Sequence, residues 1–156
     1  MVFPLIYADD CRFMLIFDIL RSMPKRKVED FLYEKESYKI RGACFDVYNT
    51  LGGGTKEKII EKALIKELGG KGLSIGVQIR IPIFYKDECI GTYIPDIVVN
   101  DKVIIELKSK PFIAKENEKQ FWGYLKGSSY CLGFLINFGP QRLTIKRFVH
   151  TNKLSA

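Results

Sequence analysis

The sequence predicts an α/β domain of the α+β kind, with one mixed central sheet flanked by helices. Three observations lead there. Two helix-length stretches with apolar residues at three- and four-residue spacing open the regular part of the chain. The period then switches to two over residues 77–108. After one further helix, two more β-rich runs close the pattern.

Residues 1–28 stand outside this pattern. An apolar patch there is followed by Met23-Pro24-Lys25-Arg26-Lys27, a break before a helix. They are expected to form an N-terminal extension, either docked or poorly ordered. The domain proper should span 29–150, with 151–156 as a tail. Over 29–51, Ile40, Cys44, Val47 and Leu51 make a helical stripe that stops at Gly52-Gly53-Gly54. Thr55 is a fitting N-cap for a second helix running to Leu68, before Gly69-Gly70. Val77, Ile79, Ile81 and Ile83 then alternate with polar or small residues as one strand. Tyr85-Lys86-Asp87-Glu88 turns the chain into a second, from Cys89 to Ile94. Asp96–Val99 and Val103–Lys108 are two more strands around Asn100-Asp101. A helix follows Pro111 and runs to about Lys126. Tyr130–Phe138 and Leu143–Val149, joined at Gly139-Pro140, finish the domain.

Composition narrows the function. The 156 residues are 47% hydrophobic and 28% charged, enough apolar material for one core. A net charge of +7, from 25 Lys and Arg against 18 Asp and Glu, favours a polyanionic partner such as nucleic acid. That surplus is local: residues 1–40 hold seven basic and seven acidic residues, and residues 41–156 hold 18 against 11. No apolar run approaches the roughly 18 residues of a membrane helix, since Phe13–Leu20 is short and interrupted by Asp18. Asp9 and Asp10 stand where a secretory signal would be basic. Cys11, Cys44, Cys89 and Cys131 form no close pair, which points to reduced thiols in a cytoplasmic protein and to no zinc site. The single histidine, His150, reads as a surface side chain and leaves a Ser-His-Asp or Cys-His mechanism without a base.

The strand pair around Asn100-Asp101 carries the chemistry. Ile97, Val99, Val103, Ile105 and Leu107 are all apolar and must face a core. Only a three-residue loop at 100–102 keeps that pattern in register, and it sets Asp96 opposite Glu106 with Lys108 two residues along. Two adjacent carboxylates on a buried strand face need neutralising. A divalent metal would do it, with Lys108 beside the attacking water or the scissile phosphate. An ordinary Lys108 ion pair at a sheet edge would do it too. Two helical residues favour the metal: Glu57, three before Ile60 and seven before Leu64, on the inward stripe, and Gln120, four before Tyr124, on the packed face.

Pro95-Asp96 followed by Glu106-Leu107-Lys108 resembles the PD-(D/E)xK signature of the restriction-endonuclease-like nucleases. Gly54-Thr55-Lys56-Glu57, Ala63-Leu64, Tyr93-Ile94-Pro95-Asp96, Gln120 with Tyr124-Leu125-Lys126, and Leu135-Ile136-Asn137-Phe138-Gly139 are similar to the GxxExxY family of that superfamily. The likeness covers residues 29–150 in order. Two positions depart from it: Ile60 replaces the motif's tyrosine, and Gly53 replaces its usual proline. The resemblance implies a restriction-endonuclease-like core and metal-dependent phosphodiester hydrolysis, of DNA in the first place. It implies Mg²⁺, or alternatively Mn²⁺, held by Asp96, Glu106 and the main-chain carbonyl of Leu107. Lys108 would orient or activate water, Glu57 would support the metal shell, and Gln120 would position water or phosphate. A homodimer is a further expectation. The competing expectation is a non-catalytic nucleic-acid- or partner-binding module that keeps the nuclease fold.

Overall fold

Local rules place the helices. In the structure, a computed structural model that describes residues 32–151, α1 runs from Glu34 to Leu51 and α2 from Glu57 to Gly70. All the elements lie in the compact unit Tyr33–His150. The expected extension over 1–28 and residues 152–156 lie outside the described residues. Ile40, Ala43, Cys44 and Val47 form the buried stripe of α1, and burial pushes the Cys44 thiol up to about 12. Leu51, expected on that stripe, is 41% exposed because it ends the helix. Thr55 does not cap α2: Lys56 takes that position without a side-chain cap, and the Thr55 hydroxyl donates back to the Leu51 carbonyl at 3.4 Å.

The strands divide into two sheets. β1 (Ile75–Gly76), β4 (Ile97–Val99), β5 (Val103–Lys108), β6 (Leu132–Phe138) and β7 (Leu143–Val149) form a mixed sheet in the order β1-β4-β5-β6-β7. Only β5 and β6 are parallel. Their crossover contains α3 (Lys115–Gly127), as a parallel connection requires. β2 (Ile81–Tyr85) and β3 (Glu88–Tyr93) pair with each other as a separate hairpin. Of the single strand expected over 77–83, only 81–83 is extended, as the start of β2, and 77–80 lie outside any strand. Gln78 has φ 57°, which breaks an extended chain between β1 and β2. Lys86 and Asp87, both left-handed, make the two-residue hairpin turn.

The three helices flank the sheet, giving the restriction-endonuclease-like architecture. The α1–α2 pair packs against β7, β1 and β5, and α3 packs against β2 and β6. Beneath α3, Ile81, Tyr93, Val98, Ile104, Phe121, Leu125 and Leu135 form one apolar cluster. Alternation along β5 therefore turns Glu106 and Lys108 to the α3 side and Ile105 and Leu107 to the α1–α2 side.

The glycine run after α1 has a steric cause. A Cβ on Gly53 would lie 1.8 Å from the Gly139 carbonyl oxygen and 2.9 Å from Pro140 Cα. Gly54 donates its amide to the Phe138 carbonyl at 2.9 Å. The obstructing atoms are backbone, so no rotamer change relieves the clash. Gly53→Ala is expected to cost about 1–3 kcal/mol, read as a lower urea midpoint. An unchanged midpoint would show that this contact is absent in solution.

Candidate active site

The β4–β5 turn fixes the site. Asn100 and Asp101 both have φ 52°, a left-handed conformation their short polar side chains tolerate. Ile97 pairs with Ile105, Val98 with Ile104 and Val99 with Val103, which leaves the three-residue loop 100–102. Extending that register sets Asp96 opposite Glu106, as the apolar pattern requires. The six apolar residues between them, and Leu107 just beyond, are at most 1% exposed, so β5 is a central strand covered on both faces. Lys108 does form an ion pair, but on this central strand, not at an edge.

Asp96, Glu106 and Lys108 each have a defined partner at this end of β5. Glu106 accepts the Tyr93 hydroxyl at 2.5 Å through Oε2 and the Lys108 ammonium at 3.1 Å through Oε1. Asp96 Oδ2 accepts the Leu107 amide at 2.7 Å. The Leu107 carbonyl projects toward the same side, because in an extended strand the N–H and C=O of one residue point together. Tyr93 stacks on Tyr124 with centroids 4.2 Å apart, and Tyr124 takes a hydrogen bond from Gln120 at 3.3 Å. A small cleft is lined by Tyr93, Glu106, Lys108, Asn117, Gln120 and Tyr124.

The electrostatics are those of a partly dehydrated acidic centre. Burial raises the Asp96 carboxyl to about 6; the Leu107 amide and Lys108 oppose this, while Glu106 and Glu61 add to it. Burial pulls the Lys108 ammonium down, but Glu106, Glu57 and Asp96 outweigh it, so its titration lies above the ordinary lysine value. Burial, then Glu106, hold the Tyr93 phenol protonated well above its usual range.

Asp96 gives a pH prediction. In the folded protein it binds a proton more tightly than in the unfolded chain, so stability is greatest at low pH with respect to this group. That contribution falls as pH rises from about 4 through about 6. In chelator-containing buffer, Asp96→Asn is expected to flatten that slope. It should also gain about 1 kcal/mol at pH 8, a figure discounted for the solvent that still reaches the carboxyl. A variant less stable than the parent at pH 8 would contradict the assignment.

The structure brings four expected residues together and moves two. Asp96, Glu106, Leu107 and Lys108 converge. Glu57 is exposed, not inward, and its Oε1 accepts the Ser109 amide at 3.1 Å. The inward acid of α2 is Glu61, 9% exposed and paired with Lys58 at 2.9 Å. Gln120 is exposed at the cleft, and Phe121 and Leu125 occupy the packed face of α3. Tyr93 and Asn137 carry contacts that no sequence spacing announced. Asn137, 1% exposed, accepts the Lys110 amide at 2.9 Å and donates to the Lys110 carbonyl at 2.8 Å. It clamps the chain just beyond Lys108.

The donor set is all oxygen, which suits a hard divalent cation completed by water and phosphate oxygens. Asp96 Oδ1 accepts no hydrogen bond from a described residue. Among the described residues, no group of three or more His, Cys, Asp or Glu side chains closes on a common point. Any ion here would therefore rest on the two carboxylates and main-chain oxygen.

No described helix is long and apolar enough to cross a membrane. No curated protein and no solved structure matches the chain. A family model described as the PD-(D/E)XK nuclease superfamily matches residues 34–148. That span runs from the first residue of α1 into β7 and contains Asp96, Glu106 and Lys108. Its acid-turn-acid-x-lysine pattern occurs here as the facing ends of β4 and β5, and by this match the chain belongs to the PD-(D/E)XK nuclease superfamily.

Proposed function

We propose that the protein hydrolyses phosphodiester bonds in nucleic acid, DNA in the first place, with the help of Mg²⁺ or Mn²⁺. The observation that carries this is Asp96 in register with Glu106, next to a Lys108 held as an ammonium. A bound divalent ion would neutralise the substrate phosphate and make a water more acidic. Asp96, Glu106 and the Leu107 carbonyl would hold it. Lys108 stabilises the negative charge developing on the phosphate and orients the water. Tyr93 fixes the Glu106 carboxylate through its hydroxyl. Gln120, tied to Tyr124, reaches the cleft to position water or phosphate. Glu57 supports the centre from its rim by holding the Ser109 amide. Membership of the GxxExxY branch, a cytoplasmic setting and a homodimer accompany this reading.

Incubation with circular, linear and branched DNA and with RNA, in Mg²⁺, Mn²⁺ or chelator, tests it. Metal-dependent cleavage is expected; cleavage undiminished in Asp96→Ala would sink the assignment. One observation favours a non-catalytic binding module instead: both Glu106 oxygens are already engaged, by Tyr93 and Lys108. That module would bind nucleic acid with steep salt dependence and show no measurable affinity for Mn²⁺.

A further inference from the structure

The cations of the domain differ in how they are partnered. Near the end of β5 that carries the 100–102 turn, three of them are engaged, while Lys35 is exposed there without a described partner. Lys71 pairs with Asp46 at 2.8 Å, Lys102 with Glu36 at 3.9 Å, and Lys39 donates to the Lys71 carbonyl at 2.8 Å. The other end of β5, about 20 Å away for six residues, carries the candidate site. There Lys56, Lys110 and Arg142 are exposed, and their side chains have no hydrogen bond or ion pair with a described residue.

Their backbones are held together, although they come from three loops. Ser109 donates its hydroxyl to the Thr55 carbonyl at 2.5 Å and its amide to Glu57 at 3.1 Å. Asn137 grips Lys110 by both its amide and its carbonyl. A Cβ on Gly139 would lie 3.0 Å from the Lys110 carbonyl oxygen and 3.1 Å from that of Arg142. The loops after α1, β5 and β6 thus converge beside Lys108. Glu57 is the one acid among them, and its Oε1 is already occupied. Other exposed cations without a described partner, such as Arg41, Lys62 and Lys66, lie on the helices, away from this convergence.

We propose that Lys56, Lys110 and Arg142 form an anchor for the phosphate backbone of a nucleic-acid strand, beside the bond presented to Lys108. Fixed loops place the three charges, and long side chains follow the strand without reading its sequence. The anchor rests on the nuclease reading only for what lies next to it; its own test needs no cleavage.

The test is fluorescence anisotropy of the full chain with labelled duplex DNA, single-stranded DNA and RNA, in chelator, over a range of salt. The variants are K56Q/K110Q/R142Q and, removing the same charge elsewhere, R41Q/K62Q/K66Q. The first is expected to weaken duplex binding about tenfold or more at moderate salt and to flatten the log–log salt slope by about 2 to 3. The second should shift binding by less than about threefold on the same reasoning. Circular dichroism and thermal melting establish that both variants fold. Equal losses in the two would mean that bulk charge attracts the strand, and an unchanged slope in the first would remove the anchor; either overturns the proposal. The three probes show which kind of strand supplies the phosphates. Loss of binding in the anchor variant, with a parent that binds but never cleaves, keeps the anchor and sinks the nuclease reading. Cleavage with an unaffected slope does the reverse.

Discussion

Glu106→Gln is expected to fold and to lose cleavage, by about 10²- to 10³-fold or more. The amide keeps the size and planarity of the carboxylate, and its carbonyl can still accept the Tyr93 hydroxyl. What it lacks is the negative charge that would hold a cation and the Lys108 ammonium 3.1 Å away. Lys108→Ala should fall as far, leaving Asp96 and Glu106 side by side without their cation. Arginine should not restore it, because a planar fork cannot take the place of a compact ammonium here. Tyr93→Phe is predicted to be milder, about tenfold in rate, since it frees the Glu106 carboxylate without removing charge. Initial rates on DNA in Mn²⁺ measure all four. Near-parental cleavage by Glu106→Gln would mean that the active centre lies elsewhere.

Asn137→Ala is expected to be the most destabilising of the polar substitutions, at about 2–4 kcal/mol. Two hydrogen bonds to Lys110 disappear, and the Lys110 amide and carbonyl lose partners beside a fully buried strand. The same substitution loosens the segment between Lys108 and Lys110, so activity should fall even where the variant is fully folded. Urea denaturation gives the stability effect, and rates measured well below the melting temperature give the second. A midpoint shift worth less than about 0.5 kcal/mol would show that the clamp is replaced by water.

The register of β4 and β5 was legible because the alternate apolar residues Ile97, Val99, Val103, Ile105 and Leu107 share one face in only one pairing. The facing of Asp96 and Glu106 followed from that constraint. Glu57 was misplaced because period alone puts 57, 60, 61 and 64 on one stripe of α2. Glu57 is the first residue of that helix, where the stripe runs out past the sheet toward Ser109. Glu61, one turn further in, receives the burial. Gln120 was misjudged for a similar reason: α3 turns Phe121 and Leu125 inward, leaving Gln120 on the flank that borders the cleft.

Contacts between distant segments had no signal of this kind. Nothing in the spacing of Tyr93 and Glu106, thirteen residues apart, says that one hydroxyl ends on the other carboxylate. The β2–β3 hairpin was legible from its turn at Tyr85–Glu88, but its separation from the main sheet was not, because the alternation of Val77, Ile79, Ile81 and Ile83 runs on through the break at Gln78. The crowding at Gly53 had no local signal either: its cause lies in Gly139 and Pro140, more than eighty residues away, against which no Cβ fits.

The central claim is that Asp96 and Glu106 together hold a divalent cation. Calorimetric titration of the purified chain with Mn²⁺ tests it most directly, beside the folded double variant Asp96→Asn/Glu106→Gln. The structure predicts saturable binding near one ion per chain in the parent and none in the variant. Equal heats in the two proteins, or none in the parent, would contradict it.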